Sequence, residues 1–259
     1  MFFRSALSEL TATDVFYIDP ARRGTGNRRM FALSDCEPDI VQLLPAMLRK
    51  APKVIAKLSP MLDLSHTLAL LPQTTDVHVV SVKNECKELL FVLRRGNAAK
   101  IPRIHCINIM TDSSEQAFCF TPAEEQATPV LPAKSAGAYL YEPNASILKA
   151  GAYKQTALRT GVRKLHVNSH LYTSDEEVFD FPGRSFRIEE VLPFSGKICR
   201  TIARNIPQAN LTVRNFPLSV EELRKRTKIT DGGEIYLFAT TLADNQKVLI
   251  RCTKLSQFP

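Results

Sequence analysis

The stretch DVFYIDPARRGTGNRR, residues 14–29, decides how the chain is read. An apolar run from Val15 to Ile18 ends abruptly in Asp19-Pro20, and four arginines and two glycines follow. A short continuous apolar run bounded by such a stop is a buried strand. Proline ends it, because it lacks an amide hydrogen and pushes the preceding residue out of the helical region. In an open α/β sheet, ligands bind beyond the carboxyl ends of the strands. A carboxylate or carbonyl placed there can accept a hydrogen bond from an exocyclic amine, and proline stiffens the corner. Chemistry at an amino nitrogen needs such aim more than it needs a strong base. Asp19 and Pro20 are therefore the candidate catalytic positions; a plain turn after a buried strand competes with that reading.

Outward from this corner, strand-like and helix-like segments alternate. Residues 39–50 carry Ile40, Val41, Leu44, Met47 and Leu48 at helical spacing, with Pro45 implying a kink or restart. Residues 54–58 read as a second strand, ended by Ser59-Pro60. Residues 62–71 read as a second helix, capped by Asp63 or Ser65. Residues 77–82 and 89–93 read as two more strands across a six-residue polar turn, KNECKE. Alternation of this kind predicts parallel pairing with helices on the faces, and the short link predicts a hairpin at the sheet edge. A further hairpin is expected at 104–110 and 117–120.

A Pro- and Ala-rich segment then predicts a linker, so that the division reads 1–125, 126–138 and 139–259. In the last part, NASILKAGAYKQTALRTG predicts one helix from an Asn cap to Gly161. Ser195 caps a basic helix. Ser219 and Glu222 form a capping box for VEELRKRTK. Strands at 185–192, 211–216, 234–241 and 246–253 make this part α+β with a mainly antiparallel sheet.

Composition narrows the classes. The 259 residues are 44% hydrophobic, enough for real cores. No run is apolar and long enough to span a bilayer, and the start lacks a secretory leader's extended apolar core. The six cysteines form no C-x-x-C pair and show no metal-ligand spacing with the five histidines. They read as reduced core thiols in a cytoplasmic protein. The net charge of +8 is uneven: residues 1–130 contribute +1 and residues 131–259 contribute +7. Only the second half has the footprint of a polyanion binder.

Basic residues supply the candidate substrate contacts. Arg22 and Arg23, with Arg28 and Arg29, flank the Asp-Pro corner and suit phosphate. Lys57 lies in an apolar strand and must snorkel or pair, with Asp19 as an available partner. Asn84 and Glu85 occupy a strand-end turn. In the second half Arg200 and Arg204 share a helix face, with Lys197 nearby. Arg224, Lys225 and Arg226 crowd one short helix and could track a phosphate backbone. A solvated helix face explains the same residues equally well.

The segments DPARR, FALSDCEPDI, KLSPMLD, VHVVSVKNECKELLFVLRR and YLYEPNASILKAGAY, followed by YTSD, FRIEEVLPF and LRKRTKITDGG, resemble in order a bacterial family of class I S-adenosylmethionine-dependent methyltransferases. That family carries a C-terminal THUMP-like domain. YIDPARRG is also similar to the fourth motif of the RNA uracil-5 methyltransferases. In those enzymes the next strand ends in a segment whose cysteine attacks the pyrimidine. Here that place reads IAKLSPMLD, without cysteine, and a covalent C5 adduct needs the thiolate.

The resemblance thus implies a partial Rossmann-like methyltransferase sheet, its C-terminal half, followed by an α+β THUMP-like domain. It implies S-adenosyl-L-methionine as cofactor and transfer or ribosomal RNA as partner, with methylation of a base nitrogen favoured over C5. The family's opening glycine-rich strand–turn–helix, which holds the donor, has no counterpart here. RGTG at 23–26 follows the wrong strand and lacks the third glycine. The chain is expected to be the C-terminal part of such an enzyme, inactive by itself. The alternative is a non-catalytic RNA-binding protein that keeps the THUMP-like docking domain.

Overall fold

A computed structural model describes residues 7, 9–22, 33, 36–96 and 101–255. Two compact units emerge, one of residues 1–126 and 145–151, the other of 127–144 and 152–259. The first is built on a six-stranded sheet of β1 (Val15–Ile18), β4 (Lys53–Leu58), β5 (Thr74–Val82), β6 (Glu85–Arg94), β7 (Arg103–Ile109) and β8 (Glu115–Phe120). Their order is β1-β4-β6-β5-β7-β8, and the small strands β2 (Ala21–Arg22) and β3 (Cys36–Glu37) pair separately. β1 runs parallel to β4 and β5 parallel to β7, while the other pairs are antiparallel.

Two expectations are corrected by this topology. The β5–β6 hairpin lies inside the sheet, because β6 inserts between β4 and β5. The sheet is therefore mixed rather than parallel with one edge hairpin. The turn is also shorter than six residues. Lys83 and Asn84 alone make it, at φ 51° and 62°, a left-handed pair that Asn tolerates well. The polar residues after it are paired into β6, where charge on half-open positions costs little.

Helix α1 (Ile40–Lys50) is capped by the Asp39 side chain, runs through Pro45, and buries Ile40, Leu43, Leu44, Met47 and Leu48. Helix α2 (Leu64–Leu70) is capped by Asp63, whose carboxylate accepts the His66 N–H at 2.7 Å. Helix α3 (Pro122–Ala127) crosses the expected boundary between the first part and the linker. The run expected as one helix is two, α4 (Ala145–Ala150) and α5 (Tyr153–Thr160), broken at Gly151 with φ 79°. Only glycine adopts that φ without cost. The break also divides the units, since α4 belongs to the first and α5 to the second.

The second unit holds β9 (Tyr139–Pro143), β10 (Arg163–Lys164), β11 (Tyr172–Ser174), β12 (Gly183–Pro193), β13 (Asn210–Val213), β14 (Ile235–Thr241) and β15 (Lys247–Lys254). Their order is β10-β11-β9-β12-β15-β14-β13, antiparallel throughout except for the parallel β13–β14 edge. This agrees with the α+β expectation. One core joins Leu140, Phe186, Phe238 and Ile250, and another joins Ile202, Leu223, Leu237 and Leu249. Helices α6 (Gly196–Thr201) and α7 (Val220–Thr227) are anchored in the latter through Ile198 and Leu223.

Candidate functional site

β1 and β4 lie side by side in parallel, with Ile18 opposite Ala56, so their next residues, Asp19 and Lys57, meet at the carboxyl ends. The Asp19 carboxylate and the Lys57 ammonium are 2.6 Å apart, with side chains 48% and 34% exposed. The hydrogen bond to Asp19, reinforced by its negative charge, raises the Lys57 pKa above that of an ordinary lysine. The pair that the sequence left open is thus formed. A lysine beside a carboxylate at a sheet rim fixes the carboxylate's direction and leaves its remaining lone pairs for a donor from outside.

Arg22 lies in β2, while Arg23, Arg28, Arg29 and the RGTG glycines fall outside the described residues. Asn84 and Glu85 occupy the same rim, at the carboxyl end of β5, but do not join the Asp19 pair. At ~3.3 Å per residue along a strand and ~4.8 Å between strands, the register puts the turn on the order of 20 Å from Asp19. Asn84 serves the fold: its N–H donates to Asn108 Oδ1 at 3.0 Å, and its Oδ1 accepts the Ala145 N–H of α4 at 2.8 Å. Glu85 pairs with Lys87 at 2.7 Å on the surface.

In the second unit, Ser195 caps α6 through the Ile198 N–H, and Ser219 with Glu222 forms the expected capping box on α7. Basic residues fall in the last turn of each helix, where the macrodipole favours cations. Arg200, Arg204, Lys225 and Arg226 are exposed. Burial pushes the Cys199 thiol pKa up, and Arg226 and Arg200 pull it back, so both guanidinium groups lie near one sulfur. The two helices touch, and each carries exposed basic residues. Arg224 is only partly exposed. Its guanidinium donates to the Asp231 carboxylate and to the carbonyls of Ile229 and Ala209 at 3.3 and 3.4 Å, which ties down the end of α7.

Sequence reasoning missed a charged cluster within the second unit. Glu142, only 2% exposed, pairs with Arg184 and, at 2.7 Å, with Arg214. Close by, His170 stacks on Tyr153 with ring centroids 3.7 Å apart. Burial, then the charges of Lys164 and Arg214, lower its pKa to about 4. The available signal was a single acid in the apolar run YLYEP, which needs a cation once buried. Among the described residues no group of three His, Cys, Asp or Glu side chains could hold a metal ion. No described helix is long and apolar enough to cross a membrane.

A THUMP domain-like family model matches residues 183–254, and a ferredoxin-like domain model matches residues 139–182. Uncharacterized S-adenosylmethionine-dependent methyltransferases from two Mycobacterium tuberculosis strains, CDC 1551 / Oshkosh and H37Rv, are 26% identical to the chain over 240 residues. Each match takes in 91% of this chain and 62% of the relative. A crystal structure of a candidate methyltransferase from Porphyromonas gingivalis W83 superposes with a TM-score of 0.86 at 44% identity. It covers 94% of this chain, which spans 60% of that one. The chain thus spans about three fifths of the relatives it matches, and the resemblance to methyltransferases with a THUMP-like domain is borne out.

Proposed function

We propose that this chain supplies the target-positioning rim and the RNA-docking domain of a S-adenosylmethionine-dependent RNA base methyltransferase acting on a base nitrogen. The observation that carries the reading is the Asp19–Lys57 pair at the carboxyl ends of two parallel strands. Lys57 holds the Asp19 carboxylate. That carboxylate and a backbone carbonyl of the Asp19-Pro20 corner accept hydrogen bonds from the target amine and aim its lone pair. Arg22 and Arg23 hold phosphates beside the corner. The exposed Arg200, Arg204, Lys225 and Arg226 grip the backbone of a transfer or ribosomal RNA. Arg224 leaves that set, because its guanidinium is spent within the fold.

The methyl donor enters this reading through the relatives. Among the described residues, no glycine-rich turn leads from a strand of the first sheet into a helix. These residues do not by themselves fit a donor pocket. The same observation favours a second reading, a non-catalytic RNA-binding protein. Calorimetric titration with S-adenosylmethionine separates the two: saturable heat supports the methyltransferase, and its absence leaves RNA docking alone.

RNA docking is tested on the full chain by fluorescence anisotropy with transfer RNA and ribosomal RNA fragments. Affinity should fall steeply with salt, because each neutralised phosphate releases about 0.7–0.9 of a counterion. Lys225→Ala with Arg226→Ala should weaken every RNA alike and flatten the salt slope, since phosphate contacts position but do not specify. Binding that ignores salt, or no binding at low salt, would refute the RNA assignment.

A further inference from the structure

The second unit holds a pair of arginines separate from the exposed basic residues of α6 and α7. Arg184 of β12 stands opposite Glu142 of β9 in the strand register. It gives its Nε–H to Glu142 Oε2 at 3.0 Å, and a terminal N–H to the same oxygen. Arg214, the residue after β13, meets the other oxygen, Oε1, at 2.7 Å and donates to the Val213 carbonyl at 3.1 Å. Oε1 receives no aligned hydrogen bond, so Arg214 approaches it as an ion pair and not as a closed fork.

One buried carboxylate therefore fixes two guanidinium groups, and one positive charge is left over. The arginine side chains stay 31% and 38% exposed, while that of Glu142 is 2% exposed. A guanidinium carries more N–H donors than these contacts use. Both groups are thus held in place before a ligand arrives, which lowers the ordering cost of binding. His170 belongs to the same cluster. Its Nδ1 is buried without a hydrogen-bond partner among the described residues, and a polar atom left so costs free energy. Its ring stacks on Tyr153, and the Lys164 ammonium lies 5.4 Å from the centroid of that same tyrosine ring. The charges of Lys164 and Arg214 both lower the His170 pKa, so the imidazole sits in a positive field.

We propose that Arg184 and Arg214, clamped by Glu142 and flanked by His170, form a binding site for a phosphate monoester group. Arginine forks match planar pairs of oxygens on carboxylate or phosphate. A carboxylate is satisfied by one fork, whereas a phosphate monoester presents further outer oxygens for the second. A free nucleotide and the terminal phosphate of an RNA offer this same group. The site rests on neither methyl transfer nor the RNA contacts of α6 and α7, because its residues lie on other elements.

The test titrates inorganic phosphate into the full chain, followed by calorimetry and by NMR of the histidine side chains. Phosphate should bind saturably, and chloride at equal ionic strength should not. The His170 resonances should move with phosphate, and its pKa should rise as the anion offsets Lys164 and Arg214. Arg184→Lys and Arg214→Lys should each weaken binding about tenfold or more, since lysine keeps a charge for Glu142 but loses the fork. Circular dichroism and melting of both variants should match the parent chain. Competition then identifies the source: adenosine 5′-monophosphate displaces phosphate best if the ligand is a free nucleotide, and a 5′-phosphorylated oligoribonucleotide if it is an RNA end. The assignment is overturned if phosphate gives no saturable binding, if both lysine variants bind it as the parent does, or if His170 does not respond. An oligoribonucleotide without its terminal phosphate that competes as well as the phosphorylated one also overturns it.

Discussion

The two sheets solve the same problem differently. In β14 of the second unit five consecutive residues, Leu237 to Thr241, are buried, and in β15 Val248 to Ile250 are buried in succession. Neighbouring residues on a strand point to opposite faces, so both faces of that sheet are closed by its own chain. Phe238 and Ile250 enter one core, while Leu237, Ala239 and Leu249 enter the other. β4 and β6 of the first unit close one face only. Burial pattern along a strand therefore reports how many layers a domain has assembled, independently of how hydrophobic the strand reads.

The contrast is broken most easily at its closed end. Phe238→Ala should cost the second unit about 3–5 kcal/mol, the range for deleting a buried aromatic ring. Leu90→Ala, on the half-open face of the first, should cost roughly 1 kcal/mol, since much less apolar area leaves water. Hydrogen exchange resolved by strand is the suitable measurement, because two units need not unfold in one step. Equal losses at the two positions would abolish the distinction.

Next in size is the buried carboxylate. Glu142→Gln should destabilise the second unit by about 3 kcal/mol, because Arg184 and Arg214 lose their shared counter-charge. The first unit's exchange should not change. The Asp19–Lys57 pair is the surface counterpart, and Asp19→Asn should leave stability nearly unchanged, because solvent screens the pair. Its signature is different: the Lys57 pKa, read by NMR titration of the side chain, should fall back toward the ordinary lysine value.

A third prediction uses acid. His170 titrates at about 4 when folded, below its ordinary value, so the unfolded chain binds more protons between those two values. Stability should therefore hold above pH ~6.5 and decline as pH falls from there toward 4. His170→Gln should flatten that slope in the second unit. A slope unchanged by the substitution would place the titrating group elsewhere.

What the sequence revealed follows the range of the interactions concerned. Caps at Asp63, Ser195 and Ser219 were legible, because each is settled within four residues. So was the Asp-Pro corner as a strand end. The insertion of β6 between β4 and β5 was not, since strand order depends on pairings between distant segments. Gly151 was visible as a residue but not as a break, because Ile147, Leu148 and Ala152 keep helical spacing across it. Lys57 was legible as a lysine needing a partner. The partners of Arg224 were not legible, because Asp231 and the carbonyls it binds lie on loops that fold back onto α7.

The chain enters the second unit at residue 127, returns to the first for residues 145–151, and leaves it again. Such interleaving bears on inheritance. No single crossover in a gene can exchange one of these units intact, because a cut before 145 takes α4 away from the sheet it packs on, and a cut after 151 takes β9 away from the sheet in which it pairs with β11 and β12. Shuffling that treats the halves as cassettes would be selected against at every junction. The two units are thereby bound to travel through evolution as one cistron segment, with Asn84's hold on the Ala145 amide as part of the knot.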